Sequence, residues 1–112
     1  MKKFTIYRLP VDKSQPRSDA ELVAVEYGED IFEVTPRLVR TVTAELSAMP
    51  EYKGCDTCAY EPEKISRGRK YQYKMQGSVS PPNAPKNILV DFMIKEQDIR
   101  LDGMPPELKT TS

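Results

Sequence analysis

Two periods of apolar and polar residues run through this chain, and the switches between them predict its elements. In KFTIYRL, residues 3–9, Phe4, Ile6 and Arg8 fall on one side and Thr5, Tyr7 and Leu9 on the other. Period-two alternation rich in aromatic and β-branched residues predicts a strand, and Pro10 ends it. The polar run DKSQPRSD then reads as a loop. ELVAVEYGEDIFEVT, residues 21–35, reads as two short strands joined around Gly28-Glu29-Asp30, with Val23, Val25 and Tyr27 as the core-facing set.

The period then changes to that of a helix. Leu38, Val42, Leu46 and Met49 form one apolar stripe, with Val39 beside it, and predict an amphipathic helix over 36–48. Thr35 reads as its N-cap, because a threonine hydroxyl can accept an orphan backbone N–H, and Pro36 suits the first helical position. Val34 and Val39 then read as a hydrophobic staple. Pro50 stops the helix.

Residues 50–68 lack either period and read as an irregular polar connection. RKYQYKMQ, residues 69–76, returns to alternation, with Tyr71, Tyr73 and Met75 opposite Lys70, Gln72, Lys74 and Gln76. That pattern predicts a strand with one wet face and its tyrosines turned to the core. GSVSPPNAPKN reads as a long Pro-rich loop. ILVDFMI, residues 88–94, is the most apolar strand, with Ile88, Val90, Phe92 and Ile94 on one side and Leu89, Asp91 and Met93 on the other. Two partly apolar faces predict a central or helix-covered strand. DIRLDG adds a short last strand.

These elements predict an α+β fold: a small antiparallel or mixed sheet of four to six strands with one amphipathic helix packed on one face. Residues 1–105 read as a single domain and 106–112 as an exposed tail. A chain of 112 residues and 12.8 kDa fits one domain. It can bury about two-thirds of its unfolded surface, enough for one core without a metal or disulfide staple.

Charge changes the picture more than composition does. Seventeen basic and seventeen acidic residues balance to zero, which argues against a general nucleic-acid binder. The signs nevertheless segregate. Residues 21–35 hold Glu21, Glu26, Glu29, Asp30 and Glu33 without a base, and 64–76 hold Lys64, Arg67, Arg69, Lys70 and Lys74 without an acid. Blocks of this kind either complement each other within the fold or face a partner. No apolar stretch is long enough to cross a bilayer, and no secretory leader pattern opens the chain, so a cytoplasmic protein with reduced thiols is expected.

Candidate chemistry is sparse. With no histidine, Ser-His and Cys-His arrangements are excluded, and the five glycines are too scattered for a phosphate loop. Cys55 and Cys58 form a CxxC pair in GCDTC. A redox use needs a helix after the pair, and Pro62 leaves space for barely one turn. A zinc use needs four ligands, so neighbouring carboxylates or the same pair from a second subunit would have to complete the site. The plainest reading is two small side chains under a loop. Asp91 inside an apolar strand calls for a donor beside it.

The leading expectation is therefore a small non-enzymatic binding or regulatory protein acting through protein–protein contacts, and a homodimer fits the symmetric uses above. The second reading is a nucleic-acid-associated accessory protein using the basic segment 64–76. The third is a CxxC metal-binding or redox protein through Cys55 and Cys58. Arg67, Arg69, Lys70 and Lys74 are the candidate partner contacts. In strict alternation the lysines and tyrosines of that segment point to opposite faces and do not address one ligand.

Overall fold

A computed structural model describes residues 1–11, 14–16, 20–65 and 70–99. Its elements are β1 (Lys2–Arg8), β2 (Glu21–Gly28), α1 (Ile31–Ala48), β3 (Asp56–Ala59), β4 (Glu63–Lys64), β5 (Tyr73–Ser80) and β6 (Ile88–Asp98), with a 3-10 turn at Pro50–Tyr52. The strands form one antiparallel sheet in the order β2-β1-β6-β5-β3, and β4 pairs with the start of β5. One helix lies against one face of this curled sheet, as the α+β reading expects. No helix among the described residues is long and apolar enough to cross a membrane.

The helix stripe is the centre of the core. Val34, Leu38, Val42 and Leu46 recur every fourth residue and are fully buried. They meet Phe4 and Ile6 of β1, Met75 and Val79 of β5, and Val90, Phe92 and Ile94 of β6. Each such side chain contributes about 1.5–3 kcal/mol through removal from water. Arg8 ties the layers together at their margin, pairing with Glu45 of the helix at 2.8 Å and Glu21 of β2 at 2.6 Å.

The helix begins five residues before the sequence reading places it, which overturns the second strand of the supposed 21–34 hairpin. Asp30, not Thr35, is the N-cap: its Oδ1 accepts the Glu33 backbone N–H at 2.8 Å. Glu33 reaches back, its Oε2 accepting the Glu29 N–H at 3.2 Å. An acid followed three residues later by a glutamate is a capping signature, and here it prevails over Thr35-Pro36. Pro36 lies inside the helix and has no N–H for the Phe32 carbonyl. Thr35 sends its hydroxyl to the Ile31 carbonyl at 2.7 Å. Val34 is thus a core residue of the helix, not a staple outside it. Asp30→Ala is expected to cost about 0.5–2 kcal/mol by leaving first-turn N–H groups without their acceptor. Thr35→Ala should cost less, and urea unfolding of the two variants compares them.

Strand β2 also corrects the sequence reading. Phe4 pairs with Glu26 and Ile6 with Ala24, so Ala24 and Glu26 share the helix-facing side of β1. Glu26 receives the Thr41 hydroxyl at 3.2 Å and lies 3.8 Å from Arg37. Val25 and Tyr27 therefore face away from the helix. Val23 is the extra residue of a bulge, since the register steps from Ile6–Ala24 to Tyr7–Leu22. It packs at the margin of the core.

Two further segments are more ordered than their composition suggests. The connection after the helix contains β3 and β4, and Thr57 of β3 hydrogen-bonds to Ser47 of the helix at 2.6 Å. Gly77 to Ser80 extend β5 rather than open the Pro-rich loop, which spans 81–87 and closes a hairpin at Val79–Ile88. Strand β6 occupies the middle of the sheet and runs on to Asp98. Residues 100–103 of DIRLDG and the 106–112 tail lie outside the described residues.

Candidate functional site

The face of the sheet turned away from α1 carries a different set of side chains. Ladder register places Lys3, Thr5 and Tyr7 of β1, Asp91, Met93 and Lys95 of β6, and Lys74 and Gln76 of β5 on it. Among the described residues no helix packs over this face. Thr5 and Met93 are buried, so the centre of the face is closed by its own side chains.

Tyr71 joins this face, contrary to the alternation in the sequence. The β5 ladder starts at Tyr73, paired with Ile94, and the chain bends just before it. The bend is held by Gln72, whose backbone N–H donates to the Ile94 carbonyl at 2.9 Å. Its side-chain Oε1 accepts the Glu96 N–H at 2.6 Å. Tyr73 consequently turns inward, its ring 6.5 Å from Phe4, and burial raises its hydroxyl pKa above the ordinary 10.0. Tyr71 instead meets Tyr7, ring centroids 5.6 Å apart and tilted by 59°. Lys70 sits with its Nζ 5.5 Å from the centre of the Tyr71 ring, within cation–π range.

Lys70, Tyr71 and Lys74 line one groove of about 400 Å³, together with Leu9, Ile65, Met93 and Asp91. Asp91 accepts a hydrogen bond from the Gln76 amide at 3.1 Å, which supplies the donor its strand position requires. The groove has an apolar floor, two exposed ammonium groups, the Tyr71 ring backed by Tyr7, and the Asp91 carboxylate engaged by Gln76. This arrangement suits binding of an anion with flat or apolar parts. Arg67 and Arg69, the other two candidate contacts, lie outside the described residues. Sequence reasoning missed Tyr7, although its place opposite Phe4 and Ile6 already put it on the side away from the core.

The two cysteines lie in different surroundings. Cys55 packs against the core beside Tyr52, whereas Cys58 is exposed on β3, where it pairs with Ser78. Both thiols are free. No three histidine, cysteine, aspartate or glutamate side chains among the described residues gather as metal ligands. A zinc site on Cys55 and Cys58 would therefore draw its other ligands from beyond this set.

Compared with known protein families, curated proteins and solved structures, the chain matches none, and its functional reading rests on the geometry above.

Proposed function

We propose that this protein is a small non-enzymatic binding module whose open sheet face takes an anionic partner, with single-stranded nucleic acid as the partner class. The observation that carries this reading is the placement of Tyr71 on the same surface as Lys70 and Lys74. Ammonium groups neutralise phosphates, and tyrosine rings offer faces on which unpaired bases stack. Lys3 and Lys95 on the same face extend the positive charge along the neighbouring strands. A duplex would not use the rings, because its bases are stacked already.

An acidic protein segment is the second reading, and the apolar floor of Leu9, Ile65 and Met93 favours it. Such a segment would place carboxylates on the lysines and one apolar side chain in the groove. It would realise the leading expectation from sequence, action through protein contacts, on the same surface.

Fluorescence anisotropy separates the two readings, using a labelled oligothymidylate and a labelled Glu/Leu peptide of similar length. The oligonucleotide is expected to bind at about 20 mM salt and to weaken steeply by about 200 mM. Lys70→Glu with Lys74→Glu should abolish most of the affinity, while the milder Lys70→Ala with Lys74→Ala should lower the salt slope by about 1.4, the value for two phosphate contacts on a single strand. Tyr71→Ala should weaken binding roughly 5-fold to 150-fold and Tyr71→Phe should restore it, because the ring face rather than the hydroxyl is used. Capture of the peptide alone selects the second reading, and no binding of either probe at low salt ends both.

A further inference from the structure

Phe32, at the second position of α1, is 84% exposed, more than any other large hydrophobic among the described residues. Beside it lies a hollow of about 400 Å³ between the first turn of the helix and the β4 segment. The Phe32 ring itself forms one wall, with Ile31, Thr35, Pro62 and Tyr73, and the exposed Glu61 and Lys64 stand on the rim. A protruding ring and an unfilled apolar hollow thus share one patch.

We propose that this patch pairs with a second copy of the same chain about a two-fold axis, the Phe32 ring of each copy seated in the hollow of the other. Two-fold contacts are self-complementary: whatever one surface offers, the same surface must accept. A knob beside a hole meets that condition, because a half-turn brings each against its counterpart. The rim meets it too. Among the described residues neither Glu61 nor Lys64 has an ion-pair partner within its own chain. Across the axis, Glu61 of one copy faces Lys64 of the other, twice over. A partner of a single charge sign would match one rim residue and oppose the other.

The patch lies at the helix side of the sheet, where Tyr73 points inward, and shares no lining residue with the Lys70–Tyr71 groove, although Glu61 also borders a hollow beside Lys74. This inference is independent of what that groove binds. It also gives the homodimer that the sequence allows a location on the helix side of the sheet.

Sedimentation equilibrium of the full chain tests the pairing from roughly 1 to 500 µM, with dimer expected to accumulate as concentration rises. Phe32→Ala should weaken association roughly 30-fold or more, since both central anchors are lost together. At a concentration where the parent chain is monomeric, its urea midpoint should equal that of the parent, because the ring is exposed within one copy. Glu61→Lys and Lys64→Glu should each weaken the dimer by placing like charges across the axis, and the double swap should recover it. A monomer mass at every concentration overturns the proposal, as does a dimer indifferent to Phe32→Ala. Failure of the double swap to recover association overturns the two-fold rim pairing.

Discussion

Replacement of Phe92 by alanine is expected to remove about 3–5 kcal/mol of stability. Phe92 is fully buried in β6, the central strand, and packs with the other core side chains beneath the helix. Its neighbours across the ladder are Met75 of β5 and Arg8 of β1, so the ring sits where both sheet halves join. Alanine would leave a cavity that backbone held on both sides by hydrogen bonds cannot close. Domains of this size are stable by only about 5–15 kcal/mol, so this one ring carries a large share. With an m-value of about 2 kcal/mol/M, the urea midpoint should fall by roughly 2 M. A loss below about 1 kcal/mol would show that the sheet centre is looser than its burial implies.

Leu46→Ala is expected to cost about 2–5 kcal/mol, and its partner in the packing is a glycine. A Cβ at Gly77 would overlap Leu46 Cδ1 and stand 3.4 Å from Phe92 Cε1. The absence of a side chain at Gly77 is what lets the last turns of α1 press on β5. Gly77→Val should therefore overpack the site and cost about 1–3 kcal/mol by itself. Combined, the two changes exchange volume across one contact, so the double variant should be more stable than the sum of the singles by about 1–3 kcal/mol. Thermal or urea unfolding of the four chains measures this coupling. Additivity within about 0.5 kcal/mol would mean that Leu46 and Gly77 do not share the space.

Gly28 shows why the helix start was hidden in the sequence. Gly28-Glu29-Asp30 has the composition of a hairpin turn, and Ile31 to Val34 are residues that strands accept. In the fold, a Cβ at Gly28 would overlap Val34 Cγ1. The glycine allows the first helical turn to close onto the end of β2. Asp30 and Glu33 did carry a local sign of this start, but Thr35-Pro36 carried a competing one. The choice falls to Val34, whose burial against the sheet requires the longer helix.

The candidate site was legible in part. Lys70 and Lys74 were singled out by charge alone, and both line the groove. Strict alternation puts Tyr71 in the core, but Tyr71 lies two residues before the ladder begins at Tyr73. The bend at Gln72 depends on acceptors and donors in β6, more than twenty residues away in the chain. Period-two counting has no access to that partner.

From the sequence alone, the α+β class, the Leu38–Val42–Leu46 stripe and the inward face of β6 were already determined. Each follows from the geometry of a few neighbouring residues, since side-chain direction repeats every 3.6 positions in a helix and every 2 in a strand. Only the tertiary structure decided where the helix begins, which face of β2 meets it, and that Tyr71 stands with the lysines. Those outcomes depend on register, and register here is set by the pairing of β1 with β6, from Lys2–Asp98 to Arg8–Phe92. A contact between the two ends of the described chain has no local trace, because it arises only when both strands bury their apolar sides against one helix.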